Sequence, residues 1–202
     1  MDPGFTSVSL RISMLPGIEE LITHRRTVHE YLPEPVDSSL VEKALELALW
    51  APNHKHTKPW RFCWVKAPAV REAIAELGVR LKAEQADKPL SEPVQNAIRA
   101  KFTNPSDLVV LLQDVQVSDF QRREDYATIA MGVQNMSLHL WANGIGTKWS
   151  SGGLTTHDEV YKLLGVSKEQ QEIVGFLWIG KPTKIPATPD KANLSEVLTV
   201  VE

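Results

Sequence analysis

The chain has 202 residues, a formal net charge of −3, 43% hydrophobic residues and 23% charged residues. This length suits one domain, or one domain with an arm, and the composition is typical of soluble globular proteins. The acidic balance does not favour a nucleic-acid or anionic-membrane surface, and no apolar run has the length of a membrane span. The single cysteine, Cys63, excludes an intrachain disulfide and indicates a reducing cytoplasm. No secretory signal pattern opens the chain.

Hydrophobic periodicity and turn residues divide the chain into helices and strands. We expect residues 1–15 to be a flexible extension and residues 16–202 to form one domain. Amphipathic helices are predicted over residues 18–26, 39–50, 70–85, 93–102 and 157–165. Strands are predicted over residues 60–65, 107–113, 172–180 and, at an edge, 198–201. Irregular alternation of few strands with longer helices predicts an α+β domain, with a sheet flanked by helices.

The pattern is organised around a long helix that begins near Asp125 and ends at Asn143-Gly144, a pair typical of a helix C-terminus. Small and apolar side chains leave this helix without a strongly charged face, which predicts burial nearly all round. A domain of this size rarely buries a helix so fully, so we expect a second subunit to cover part of it. Introducing a charge at Met136 or Leu138 should then destabilise the protein.

Few residues are candidates for a binding or catalytic role, and each of them can also be explained by an ordinary structural role. Lys148, Trp149 and Ser150, beside glycines, suit a flat ligand with polar edges and equally suit a surface turn. Two arginines beside a hydroxyl, at residues 25–27, suit a phosphate and equally suit a solvated helix end. His54 and His56 lack the neighbours of a zinc site, and Cys63 in a strand is typical of a buried apolar residue. Neither a phosphate-binding P-loop nor a Rossmann glycine fingerprint is present.

The order of several segments along the chain is more specific than any one of them. Residues 25–29, Arg-Arg-Thr-Val-His, resemble the Arg-Arg-Ser/Thr-x-Arg opening of nitroreductase-like flavoproteins, and residues 50–62 resemble their Ala-Pro loop with Pro-Trp and the following strand. The long helix with residues 134–135 is similar to the central dimer helix of that family. Residues 144–152 resemble the Gly-x-Gly-x-x-Trp-x-Ser-Gly of its short, single-domain branch, and residues 175–182 resemble its last core strand.

This resemblance implies a nitroreductase-like fold with a central mixed β-sheet, an intertwined homodimer, and two FMN molecules bound between the subunits. Arg25, Arg26 and Thr27 would hold the FMN phosphate and ribityl end. The residues that the resemblance places along the isoalloxazine edge or the phosphate side are Lys148, Trp149 and Ser150. The residues that it places against the flavin from the partner chain are His54, His56 and Lys58. No metal and no catalytic side chain is implied, since the flavin carries the chemistry.

The activity implied is a ping-pong oxidoreductase, in which NADH or NADPH reduces the flavin and an electron-poor acceptor such as a nitroaromatic or quinone reoxidises it. A non-catalytic flavin-binding protein, and a reductive dehalogenase or flavin-degrading relative, remain alternatives. The sequence departs from the family at two places: Lys58 replaces a glutamine, and His29 replaces a basic residue. If His29 lies beside the flavin, its charge would change near neutral pH, unlike that of a fixed cation.

Overall fold

A four-stranded antiparallel sheet forms the centre of the computed structural model, which describes residues 17–86 and 88–202. The strands are β1 (Arg61–Trp64), β2 (Asp107–Asp114), β3 (Gly146–Ser150) and β4 (Gln171–Gly180), and they lie in the order β1-β2-β4-β3. The two central strands carry continuous apolar runs because both of their faces are covered. All three pairings of these strands are antiparallel, whereas the resemblance implied a mixed sheet; parallel pairing occurs at the isolated bridge between Thr27 and Thr147, outside the named strands.

Helices cover both faces of the sheet. They are α1 (Ile18–His24), α2 (Ser38–Ala48), α3 (Pro68–Glu84), α4 (Glu92–Thr103), α5 (Asp119–Ala142), α6 (Asp158–Leu164) and α7 (Leu194–Val197). On one face, α2 and α5 enclose a core that includes Met136 and Leu177. On the other face, α3, α4 and α6 enclose a second core that includes Ile74 and Trp178. The predicted α+β class is therefore confirmed.

The long helix α5 is less completely buried than the sequence predicted, because its own chain covers only one face. Met136 is 0% exposed inside the core that α2 and α5 enclose. A second stripe stays exposed or partly exposed: Ala127, Met131, Gln134 and Leu138. These positions are four, three and four residues apart, so they lie along one side of the helix. A charge at Met136 should still destabilise the protein, but by disrupting the monomer core, so it does not test a subunit interface.

Three other sequence predictions differ from the structure. Residues 146–150 form strand β3, although they suited a surface turn as well as a ligand clasp, and residues 198–201 are not in a strand. Helix α5 begins at Asp119, where Ser118 accepts a hydrogen bond from the amide of Gln121. The first turn of α5 is mostly polar and exposed, so no apolar periodicity marked this start in the sequence. The predicted flexible extension, residues 1–15, lies outside the described residues.

The end of α5 fits the predicted glycine cap. Asn143 closes the helix and Gly144 has a φ of +74°, a left-handed conformation that costs glycine little. The amide of Ile145 then donates back to the carbonyl of Leu140 at 2.9 Å, which turns the chain directly into β3. In the described part of the chain, no helix is long and apolar enough to span a bilayer.

Candidate functional site

The segment 25–29 runs along the outer edge of β3. The amide of Val28 donates to the carbonyl of Thr147 at 3.0 Å. Successive side chains of an extended segment point to opposite sides, so Val28 enters the core while Thr27 and His29 are exposed. Of the residues predicted to bind the phosphate, Arg26 is therefore buried, whereas Thr27 is exposed and Arg25 is partly exposed.

Arg26 is occupied by its own chain. Its guanidinium is buried, donates to the carbonyls of Thr23 at 2.7 Å and Arg25 at 2.9 Å, and donates to the hydroxyl of Thr188. Arg25 differs, because its Nε is buried and has no hydrogen-bond partner among residues 17–86 and 88–202. Burial, and then the neighbouring charge of Arg26, lower the pKa of Arg25. A buried donor without a partner costs free energy, so Arg25 is prepared to receive an anionic ligand and Arg26 holds the segment in place.

The residues predicted to act together on β3 point to opposite faces of the sheet. Lys148 and Ser150 pair with Trp178 and Phe176 of β4, and they share the face covered by α3 and α4. Trp149 packs against the core on the other face and lies 6.1 Å from the ring of Tyr126, between centroids. The alternation of a strand causes this separation, so a continuous clasp of three side chains does not form.

Gly175 allows Trp149 to lie flat against the sheet. A β-carbon added to Gly175 would lie 2.1 Å from Nε1 of Trp149, far inside contact distance. On the opposite face, Nε1 of Trp178 donates to Oγ of Ser150 at 2.8 Å. Both tryptophans are therefore fixed in position by the strand pairing, and Ser150 is fixed with them.

A pocket of about 220 Å³ brings three of the predicted residues together. Its lining residues include His29, Lys148 and Ser150, and also Lys101 from α4. Neither aspartate nor glutamate lines it, so the pocket is positive although the chain is acidic overall. Burial lowers the pKa of Lys148, and the nearby charge of Lys101 lowers it further. We call this the cationic pocket; its aromatic wall consists of Tyr31, Phe102, Phe176 and Trp178.

A larger cavity of about 840 Å³ lies between the first part of α5 and the start of β4. None of the predicted site residues lines it. Two of its basic side chains already have acidic partners, because Arg122 pairs with Glu172 and Lys168 pairs with Asp158. Size alone therefore does not identify the functional site, and we assign it to the smaller cationic pocket, where unpaired cations meet an aromatic wall.

The loop that carries His54, His56 and Lys58 does not contribute to the cationic pocket. These three side chains are exposed, and the ring of His54 lies 6.2 Å from that of Phe120 on α5, between centroids. The backbone φ angles of Lys55, His56 and Lys58 are +55°, +52° and +54°. Side chains with a β-carbon adopt this region only at a cost, and such strain is often found at functional sites.

Two polar side chains, the half-buried Asn53 and the buried Asp125, hold the loop in this shape. Oδ1 of Asn53 accepts from the amide of Lys58 at 2.8 Å, and its Nδ2 donates to the hydroxyl of Thr57 at 2.9 Å. That hydroxyl donates to Oδ1 of Asp125 at 2.6 Å, and Asp125 is 0% exposed. The sequence analysis placed Asp125 only near the start of the long helix. Its contact with Thr57 spans 68 positions, so no local pattern could reveal it.

Sequence reasoning also missed Lys101 and Phe102, which the packing of α4 brings to the cationic pocket. Their helical periodicity shows only an amphipathic helix, and no motif marks them. His54 and His56 are not joined by further ligands into a possible metal site: within the described ranges, no group of three or more His, Cys, Asp or Glu side chains could hold a metal ion.

Comparison with known proteins gives this geometry a context. A model described as "Nitroreductase family" matches residues 22–181, which is most of the chain. The chain belongs to the nitroreductase family. It is 26% identical over 182 residues to a Bacillus subtilis protein named "Putative NAD(P)H nitroreductase YfhC", with 90% of this chain and 93% of that protein aligned.

Two solved structures show how closely the fold agrees with other nitroreductases. The crystal structure of a nitroreductase-like family protein from Bacillus cereus has a TM-score of 0.79 and 26% identity, and the match covers 95% of this chain and 99% of the other. The FMN-dependent nitroreductase NfnB from Mycobacterium smegmatis, solved with NADPH, has a TM-score of 0.71 and 21% identity, with 91% and 97% covered. The nitroreductase-like fold predicted from the sequence is therefore confirmed.

Proposed function

We infer that this nitroreductase is an FMN-dependent NAD(P)H oxidoreductase whose flavin lies along residues 25–29 and in the cationic pocket. The observation that carries the proposal is the buried Nε of Arg25, which has no hydrogen-bond partner among the described residues. Arg25 lies on the same segment as His29, which lines the cationic pocket. Four residues of extended chain span about 13 Å. The segment can therefore hold a phosphate at one end and direct a ring system to the other.

The side chains suit the two ends of FMN. Arg25 would donate charge-assisted hydrogen bonds to the phosphate, with the exposed hydroxyl of Thr27 beside it. Arg26 would position Arg25 and would not touch the ligand. His29 and Lys148 would place positive charge near the pyrimidine edge of the ring, and Lys101 would add to it. Bound FMN would supply the transfer of electrons from NAD(P)H to an electron-poor acceptor, while these side chains bind it and set its charge environment.

Trp149 and Ser150 have different parts in this proposal. Ser150 lines the cationic pocket but its hydroxyl already accepts from Trp178, so it would shape the pocket. Trp149 lies on the other face of the sheet and would support the strand from behind. In this proposal Ser150 forms part of the pocket wall and Trp149 supports the strand, whereas the resemblance implied that both line the flavin directly.

The proposal includes a homodimer. The exposed stripe of α5, which contains Met131 and Leu138, repeats as a helix-pairing seam would. A volume of about 220 Å³ is below the usual range of a ligand site, roughly 300–1,000 Å³, so one chain encloses the ligand only in part. The loop bearing His54 and His56 is exposed, has positive φ angles and does not line the cationic pocket of its own chain, which suits a loop that completes the site of a partner.

One experiment tests the oxidoreductase assignment directly. Purified protein should be yellow, or become so on incubation with FMN, with the absorption of oxidised flavin. Addition of NADH or NADPH without oxygen should bleach this absorption within seconds. A protein that binds FMN but is not bleached by either nicotinamide would be a flavin-binding protein without this activity. A protein that gains no flavin spectrum would contradict the proposal as a whole.

A further inference from the structure

A second, apolar groove joins the cationic pocket. This groove, of about 590 Å³, lies between α3 and α4. It shares four lining residues with the cationic pocket: Lys101, Phe102, Gly153 and Leu154. The two spaces therefore meet at one junction, and we call the second space the acceptor groove.

The walls of the acceptor groove suit a flat apolar body. Leu81 of α3 faces Val94 and Ile98 of α4, and Leu154 closes the inner end. A β-carbon on Gly78 would approach the Phe102 ring to 3.1 Å, so the glycine keeps the helices close and leaves the ring edge-on to Trp178, with 5.2 Å between centroids. Phe102 therefore forms the wall at the junction of the two spaces.

The charged side chains that line the cationic pocket and the acceptor groove are all basic. The basic side chains that line the two spaces are His29, Lys82, Lys101 and Lys148, and no aspartate or glutamate of the described residues is part of either lining. The chain as a whole carries a formal charge of −3. A cleft lined by positive charge attracts negatively charged ligands, even when the net charge of the whole chain is negative.

The position of Lys82 gives the ligand a length and a direction. Lys82 follows Gly78 by four residues on α3, and therefore lies one helical turn, about 6 Å, farther from the junction. An aromatic ring with its reactive group at the junction would thus reach Lys82 with a substituent on its far side. Lys82 is exposed, and its ammonium group is free to move toward such a substituent.

We propose that the electron acceptor of this nitroreductase is an aromatic compound that carries a carboxylate, with its ring in the acceptor groove and its carboxylate at Lys82. The inference rests on the proposed function, because it assumes a flavin in the cationic pocket. For a nitroaromatic acid, the nitro group gains two electrons and two protons, becomes a nitroso group and releases water. NAD(P)H provides the electrons and is oxidised to NAD(P)⁺.

A matched pair of ligands, para-nitrobenzoate and para-nitrobenzamide, tests the charge. The two have nearly the same shape, and without a nicotinamide they can be titrated calorimetrically into the FMN-loaded dimer. At low ionic strength the carboxylate should bind about fivefold more tightly, and the preference should shrink as salt screens it. With NADPH or NADH present, kcat/KM should show the same order. Equal affinity for the acid and the amide would overturn the inference.

Substitutions of Lys82 test whether this residue causes the preference for the acid over the amide. Lys82→Gln should reduce the preference for the acid about two- to fivefold, and Lys82→Arg should keep it. Lys66 lies over the Trp64 ring, 3.7 Å from its centroid and away from the groove, so Lys66→Gln is the matched control and should leave the preference unchanged. A preference that survives Lys82→Gln would show that the carboxylate is not held there.

A groove-filling variant separates this inference from the proposed function. Val94 is 44% exposed and lines the outer end of the acceptor groove, so Val94→Trp should fill the groove without entering the core. Both nitroaromatic ligands should then bind at least about tenfold more weakly, while an FMN titration reports the flavin site independently. Unchanged binding of both ligands would place the acceptor elsewhere. Failure of the wild-type chain to bind FMN would refute the proposed function instead.

Discussion

The segment 25–29 and the loop that carries His54 bear similar cations but are built in contrasting ways. The segment is bonded to β3, its arginine Arg26 is buried, and its side chains lead into the cationic pocket of the same chain. The loop has left-handed backbone angles at Lys55 and two other positions, is held from below by Asp125, and presents exposed side chains. The binding role proposed for the segment is explained by the geometry of its own chain, whereas the role proposed for the loop is not.

This difference indicates which part of the proposed FMN site one chain can form by itself and which part needs a second chain. Regular pairing with a sheet edge fixes the segment without strain, so its geometry is determined locally. Strain in the loop persists only because hydrogen bonds from Asn53 and Asp125 outweigh it. We therefore expect the segment to bind FMN through its own chain, and the loop to act on the site of a partner. Five experiments test this contrast, from the largest expected effect to the smallest.

The largest effect should come from Met131→Glu, which places a charge on the exposed stripe of α5. Met131 is 41% exposed in a single chain, so the monomer can tolerate the change. In a dimer the charge would be buried without a partner and should weaken association by about 3 kcal/mol or more, over a hundredfold in the dissociation constant. Sedimentation would show monomers, and FMN affinity would fall because the loop of the partner is lost.

Met131→Gln is the neutral control for size and should remain mostly dimeric. Met136→Glu provides the opposite control, because this buried side chain belongs to the monomer core and the variant should unfold instead of dissociating. If Met131→Glu sediments as wild type does, the stripe is not the subunit interface.

The next largest effect should come from Arg25→Ala. Removal of a charge-assisted hydrogen bond to phosphate should weaken FMN binding by about 1.5–3 kcal/mol, roughly ten- to a hundredfold. Arg26→Ala should mainly destabilise the fold, by about 1–3 kcal/mol, because it leaves the carbonyls of Thr23 and Arg25 without their donor. Flavin titration and thermal unfolding measure the two effects separately. A larger loss of FMN affinity in Arg26→Ala than in Arg25→Ala would reverse the assignment.

The heterodimer of an Arg25→Ala chain with a His54→Ala chain sharpens the contrast further. If His54 serves the partner's site, one of the two sites carries both changes and the other carries neither. Half of the sites should then bind FMN with wild-type affinity, which a titration below the dissociation constants of the variants would detect. If every site of the heterodimer binds weakly, His54 acts within its own chain.

A smaller effect should follow from Asp125→Ala. The hydroxyl of Thr57 and the side-chain Nε2 of Gln121 would lose their acceptor, which should cost about 1–3 kcal/mol and loosen the loop. Amide hydrogen exchange at residues 53–58 should become faster, while exchange in β3 stays slow. Glu124→Ala, at the neighbouring position on α5, is the control. Unchanged exchange in the loop would mean that Asp125 does not hold it.

The smallest effect should come from Lys55→Gly. Glycine adopts a φ of +55° without steric cost, so the loop should gain about 0.5–1 kcal/mol of stability despite the entropy of the unfolded glycine. His54 is absent from the positive-φ residues of the described chain, so His54→Gly should destabilise instead. Denaturant unfolding compares the two variants. A loss of stability in Lys55→Gly would show that the left-handed conformation carries no strain.

The sequence by itself determined the elements whose signals are local. Continuous apolar runs identified β2 and β4, a proline and amphipathic periodicity identified α3 near its observed bounds, and Gly144 marked the end of α5. The motif order also predicted the nitroreductase family and named Arg25, His29 and Lys148 as site residues, of which His29 and Lys148 meet in the cationic pocket.

Tertiary structure alone decided which side chains face the site. The strand pairing of β3 sent Lys148 and Trp149 to opposite faces, and a bond to Thr188 occupied Arg26, 162 positions away. Packing of α4 brought Lys101 to the pocket, and one covered face of α5 left Met131 exposed. These outcomes depend on contacts between residues far apart in sequence, and periodicity describes only the direction of a side chain relative to its own helix or strand.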